Sequence, residues 1–338
     1  MEPTAVPATD ATGGPPRGRR RPRRLRSLLA LLISACVVLP LSAAARPRIP
    51  APAPADLPPI TATTLEAAYA ANRANAARAA RMAEAHGDRH RAAADRALAA
   101  PARRLLAFDG RGTGLVTEVF GDLAHADHVA VLVPGSDTTL DTYGRFRATA
   151  TALQHQLAER ESESTGVAVV AWLGYETPGT VSTTVLTTGR ADEAAPRLGE
   201  FVRLLRTLTG PRAHLSLLCH SYGSVVCARS AARGAPVADI ALLGSPGAGA
   251  GSAAALRTSA RIWAARGGTD WVADVPHVEA DLFGTTVGFG TDPVSPAFGA
   301  RVFAAGDGGH SDYFTPGSVC LANLARIVLG DTSEVTRA

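Results

Sequence analysis

A chain of 338 residues can hold one large domain with an extension or two small domains, and the even spread of its apolar residues favours one sizeable core behind an N-terminal extension. The net charge of +4 misleads: residues 1–45 carry seven arginines against Glu2 and Asp10, a surplus of five, which leaves the remainder at −1. A remainder so close to neutrality lacks the clustered basic face that nucleic acid requires, and that class of partner is excluded.

Arg17 to Arg26 form a basic run, Leu28 to Leu41 an apolar one, and Ser42-Ala43-Ala44-Ala45 a small-residue segment with an A-x-A pattern. That order is an export signal with cleavage expected after Ala45, so the protein is expected to be secreted or held on the outer face of the cytoplasmic membrane. The second outcome follows if residues 28–45, near the short limit for a spanning helix, stay attached as a membrane anchor. Ile33-Ser34-Ala35-Cys36 has a lipobox-like form, but apolar residues continue past Cys36.

Residues 46–60 are dense in proline and alanine and read as an extended spacer. Residues 61–100 read as a helical arm, Thr64 to Ala99, interrupted at His86-Gly87-Asp88 and stopped at Pro101. Its large apolar residues are few (Leu65, Tyr69, Met82, Leu98), so it is expected to bury little and to lie against the main domain, residues 101–338.

In that domain the sequence predicts strands at Leu105 to Phe108, Leu115 to Val119, His128 to Val133, Val167 to Leu173, Leu215 to Leu218, Ile240 to Leu243, Ile262 to Ala265 and Arg301 to Ala304. Helices are expected at Leu140 to Leu157, Ala194 to Leu208, Val225 to Arg233 and Ser318 to Val328. Strands alternating with helices imply an α/β fold with right-handed crossovers, a mainly parallel central sheet and helices on both faces. In such sheets chemistry gathers after the carboxyl ends of the strands.

The stretch Leu215 to Val226 reads as strand, sharp turn and helix with Ser221 at the apex, the pattern of a nucleophile elbow, G-x-S-x-G. Gly223 supplies the second small residue, whereas Cys219 stands where the first glycine is usual. A serine hydroxyl needs a base, itself oriented by an acid, and in α/β-hydrolases these follow in the order Ser, Asp or Glu, His. Ser221, Asp270 and His310 meet that order, each in a loop after a strand. Asp292 is the strongest alternative acid, ahead of Asp274 and Asp307, while His220 and His277 rival His310; His220, beside the nucleophile on a turn, is expected to point away from it. The backbone amides of Ser136 and Tyr222 fall where an oxyanion hole needs its donors, with Gly135 shaping the loop.

The runs Val131-Leu132-Val133-Pro134-Gly135, Ala171 to Pro178, His220 to Ser224, Asp292-Pro293, Phe298-Gly299-Ala300 and Gly309 to Phe314 resemble an actinobacterial α/β-hydrolase family long carried as a domain of unknown function. The resemblance spans roughly Leu105 to Gly330 and implies the hydrolase fold, Ser221 as nucleophile and His310 as base, with no settled substrate.

Of the cysteines left after export, Cys219 and Cys227 read as small core residues, and the odd total argues against a disulfide framework, with one bridge through Cys320 left open. Neither a P-loop nor a dinucleotide fingerprint occurs, and His86 and His90 lack a third metal ligand nearby, so no cofactor or metal is implied. Trp271 to Ala300, with Phe283, Phe289 and Phe298, is expected to wall a pocket that Gly135, Tyr175, Tyr222 and Trp271 line. The reading is a serine hydrolase forming a covalent acyl-enzyme from a small-molecule or lipid-like acyl substrate. The alternatives are an acyltransferase on the same triad and a non-catalytic envelope-binding domain.

Overall fold

The computed structural model describes residues 49–160, 166–182, 185, 187–277, 279–282 and 285–338; residues 1–45, expected to be a signal peptide or an anchor, and Phe283 lie outside them. Among the described residues no helix is long and apolar enough to cross a membrane. The strands are β1 (Arg104–Asp109), β2 (Leu115–Gly121), β3 (His128–Val133), β4 (Val167–Leu173), β5 (His214–His220), β6 (Asp239–Leu243), β7 (Arg261–Ala265), β8 (Glu279–Leu282), β9 (Thr285–Gly288) and β10 (Arg301–Val302). The helices are α1 (Leu65–Ala85), α2 (Arg89–Leu98), α3 (Tyr143–Ala158), α4 (Gly189–Thr209), α5 (Gly223–Ala231) and α6 (Val319–Leu329).

Eight strands make one sheet in the order β1-β2-β4-β3-β5-β6-β7-β10. β2 runs antiparallel to both β1 and β4, and every other neighbouring pair is parallel. The segment expected only to wall a pocket also contains the antiparallel hairpin β8–β9, whose short strands carry no apolar run to announce them.

The period-two geometry of a strand explains why the central strands are apolar throughout. In β3, Val129, Val131 and Val133 join the core beneath α4 and α5, whereas Ala130 and Leu132 join the core beneath α3 and α6. β4 divides in the same way, Val170 and Trp172 on one face and Val169 and Leu173 on the other.

The arm does more against the domain than its sparse large side chains suggest. Its alanines let α1 approach closely, and Ala76 and Ala79 join one core while Leu65 and Tyr69 join the other. Between them Asn72 Nδ2 donates to the carbonyls of Leu105 and Leu106 on edge strand β1, and Arg73 to that of Arg103 just before it, so the helix satisfies acceptors along this edge. In α2, buried Arg91 donates through Nε and Nη2 to the two carboxylate oxygens of Asp141 and through Nη1 to the Gly110 carbonyl. The arm is thereby fixed to the β1–β2 turn and to the start of the chain leading into α3.

Asp95, 1% exposed, lies near this pair, and among the described residues one of its carboxyl oxygens has no partner. Burial pushes its pKa up to about 7, against the pull of Arg91. A carboxyl with a folded pKa above its unfolded one contributes its stability fully below the ordinary carboxylate range and loses it as pH rises through the folded value. We therefore expect Asp95→Asn to unfold at a higher temperature than the wild type at about pH 8, and the gap to narrow as pH falls below about 7 and to close at about pH 4. A gap that does not change with pH in thermal unfolding contradicts this assignment.

Candidate active site

β5 ends at His220, α5 begins at Gly223, and Ser221 between them has φ +53°, a left-handed conformation that costs a non-glycine residue roughly 1–3 kcal/mol. Neighbouring groups hold it there: the Ser221 amide donates to the Leu243 carbonyl at 2.8 Å, and the Ser224 amide closes the turn on the Ser221 carbonyl at 2.9 Å. A side chain on Gly223 would meet the Val133 carbonyl oxygen at 2.6 Å, and one on Gly135 would meet Ser221 Cβ at 2.7 Å. Both glycines are therefore dictated by backbone approach, one from the helix and one from the facing loop.

Cys219 and Cys227 correct the sequence reading. They form a disulfide, with Cα atoms 6.4 Å apart, and Cys320 is the free, buried thiol. Strand and helix fold back past each other at the turn, which brings positions eight apart into bonding range and encloses Ser221 in a covalent ring. Cysteine at the first elbow position is thus one end of a staple across the turn.

The loop after β3 runs from Pro134 to Thr139. Tyr175, buried, donates to the Pro134 carbonyl at 2.7 Å and supports the loop from behind. The Asp137 amide is taken by the Pro178 carbonyl and the Thr138 amide by Thr177 Oγ1. Tyr222 is also buried: its hydroxyl donates to the Thr187 carbonyl and accepts from the Ala191 amide, tying the elbow to the start of α4.

Asp270 and His310 meet across the ends of β7 and β10. His310 Nδ1 lies 2.9 Å and 3.1 Å from the two Asp270 carboxylate oxygens. Asp270 caps the short helical turn Trp271–Asp274 by accepting from the Val272 amide, and it also accepts from the Tyr313 hydroxyl. Burial pushes the Asp270 pKa upward, but the bonds from Tyr313 and Val272 together with the His310 ring outweigh it and hold the carboxyl below its ordinary value. Gly244, at φ +53°, makes room for the pair, since a side chain there would meet Asp270 Oδ2 at 2.6 Å and His310 Nδ1 at 3.0 Å.

The remaining candidates separate clearly. Asp292 pairs through both oxygens with Arg266 and faces His277 at 3.7 Å; its contacts are with these groups and the Val294 amide, away from His310. His277 Nδ1 is bonded to the Pro246 carbonyl. Trp271 is 52% exposed, with its ring 4.8 Å from that of His310. His220, expected to point away from Ser221, has its ring 4.6 Å from that of His310. Sequence reasoning gave no role to Tyr313, although its place three residues after His310 in a glycine-rich loop was the available signal. Its hydroxyl accepts from the Gly267 amide at 3.1 Å while donating to Asp270.

The sequence model of a family described as alpha/beta hydrolase matches residues 109–280. An uncharacterized protein of Mycobacterium tuberculosis is 31% identical over 253 residues, which are 67% of this chain and 38% of the relative. One of Mycobacterium bovis is 32% identical over 134 residues, 38% of this chain and 50% of the relative. The chain thus spans less than two thirds of the length of the curated relatives it matches. Among solved structures, the esterase PE8 overlays with a TM-score of 0.43 at 17% identity, over 64% of this chain and 98% of that one. A dienelactone hydrolase from Anabaena variabilis gives 0.40 at 16%, over 66% and 93%.

The geometry ranks the acids. We expect Asp270→Asn to lower the reactivity of Ser221 toward a fluorophosphonate by roughly 10⁴-fold. Tyr313→Phe, which removes one hydrogen bond to the charged carboxylate, is expected to cost about tenfold and Asp292→Asn less than about twofold. Labelling rates in which Asp292→Asn loses more than Asp270→Asn would transfer the orienting role to Asp292.

Proposed function

Since the chain belongs to the alpha/beta-hydrolase family, we propose that it hydrolyses an ester or related acyl bond through a covalent acyl-serine on Ser221, with His310 as base and Asp270 as the orienting acid. The observation that carries this reading is the hold of both Asp270 oxygens on His310 Nδ1. A carboxylate only accepts, so the proton resides on Nδ1, and Nε2 is left as the nitrogen able to take one from serine.

The steps follow from that tautomer. Ser221 Oγ attacks the acyl carbon as its proton passes to His310 Nε2, and the resulting imidazolium is stabilised by Asp270. The same proton goes to the departing alkoxide when the tetrahedral adduct collapses to the acyl-serine. Water then gives a proton to Nε2, attacks the acyl carbon, and releases the acid as Ser221 recovers its proton. The amides of Ser136 and Tyr222 are the proposed donors to the developing oxyanion, a role supported by the commitment of the neighbouring Asp137 and Thr138 amides to other acceptors. The half-exposed Trp271 ring beside the base offers an apolar wall, which favours a small-molecule or lipid-like acyl compound.

The proposed location is outside the cytoplasmic membrane. The leader pattern supports it, and so does the Cys219–Cys227 disulfide, a bond that persists in oxidising compartments. On this reading the purified protein turns over p-nitrophenyl butyrate, and Ser221→Ala lowers kcat by at least about a thousandfold. A Ser221→Ala variant that keeps wild-type kcat refutes the mechanism. A mature N-terminus at Arg46, read by mass, is expected if the leader is cleaved.

A further inference from the structure

His220 takes no part in the mechanism above, yet it is the residue next to the nucleophile and is bonded to the base. Its Nε2 lies 2.6 Å from the backbone carbonyl oxygen of His310 itself. A carbonyl only accepts, so Nε2 carries a proton and donates. Its ring lies 4.6 Å from the His310 ring and 5.7 Å from that of Tyr313, the residue that grips Asp270. Burial, then the neighbouring His310, pushes its pKa down to about 4, so the ring is neutral near neutral pH and presents a fixed tautomer.

These contacts make His220 a bridge of fixed length. Through the chain it is one bond from the Ser221 amide, and through Nε2 it holds the backbone from which the base projects. His310 lies in a loop after the two-residue strand β10; residues 306–308 of that loop accept from Gly268 and Thr269 after β7, and beyond them the Asp312 amide closes a turn on the Gly309 carbonyl. The bond from His220 adds a second hold, from the central strand β5, at the carbonyl of His310 itself.

We propose that His220 is a positioning residue that sets the separation between nucleophile and base by holding the His310 main chain through Nε2–H and its ring by tilted ring-to-ring contact. The inference rests on the reading of Ser221, His310 and Asp270 as the reacting triad. It concerns neither substrate binding nor proton transfer by His220, and this separates it from a second-base role.

The test compares three substitutions. His220→Gln keeps an N–H donor near the Nε2 position; His220→Phe keeps the ring and loses the donor; His220→Asn is too short to reach the carbonyl. With p-nitrophenyl butyrate, Phe and Asn are expected to lower kcat by about ten- to a hundredfold with KM within about twofold, the pattern of weakened transition-state stabilisation with ground-state binding kept, and Gln to recover at least about threefold of that loss. The downfield proton resonance of His310 Nδ1–H is expected to shift or broaden in the Phe and Asn variants and to stay in place in Gln. If one of the two donor-deleting variants fails to fold, the other carries the comparison with Gln. Wild-type kcat in His220→Phe or His220→Asn, or a loss in Gln equal to theirs, overturns the proposal. Ser221→Ala and His310→Ala run alongside: activity surviving in either strikes the triad reading, whereas inert controls beside a fully active His220→Phe strike this inference alone.

Discussion

The site depends on one constraint, that Ser221 stays in a left-handed backbone conformation that its side chain disfavours. The constraint explains residues that otherwise look unrelated. Gly223 is small because the helix passes the Val133 and Pro134 carbonyls, Gly135 because that loop touches the serine, and Gly244 because Asp270 and His310 lie over the end of β6. The Cys219–Cys227 bridge closes the same turn covalently, and the Leu243 carbonyl fixes the serine amide from the adjacent strand. A strained apex needs support from every side, and here each neighbouring strand end contributes one element of it.

The three buried or half-buried aspartates in the second half of the sheet show how environment separates structural from functional roles. Asp239 accepts from Arg261, Trp263 and His214, and Asp292 from Arg266. For both, burial raises the pKa and the bonds outweigh it, those from His214, Arg261 and Trp263 for Asp239 and chiefly those from Arg266 for Asp292, so that each lies below the ordinary value. Each of these two carboxylates holds a guanidinium through both oxygens and also faces an imidazole, His214 for Asp239 and His277 for Asp292. Among the described residues Asp270 reaches a lowered pKa without a guanidinium partner, through the Tyr313 hydroxyl and the Val272 amide together with the His310 ring, which is the setting in which the proposed imidazolium would rely on this carboxylate.

Much of this was legible in the sequence because it follows local rules. Apolar runs of strand length separated by helix-forming stretches gave the α/β order, and the serine turn was readable from one strand, one small residue and one helix. Ser221, Asp270 and His310 could each be placed in a loop after a strand in the second half of the sheet, and the structure places the last two in contact. The rest depended on distances between elements. No spacing rule announces that Cys219 and Cys227 meet, since this follows from how tightly the elbow folds back. The part Tyr313 takes requires knowing that its loop crosses the end of β7, and the contact of His220 with His310 requires the twist of β5. The arm was legible as helices but not as a cover for β1, because Asn72 and Arg73 act through single bonds to edge carbonyls and apolar periodicity does not register them.

The central claim is that Ser221, held by its elbow and served by His310, is the nucleophile. Its most direct measurement is intact-mass and peptide mapping of the folded protein after reaction with a fluorophosphonate. The account predicts a single adduct on the peptide containing Ser221, absent in the Ser221→Ala variant. A folded protein with no adduct, or with the adduct on another residue, would contradict it.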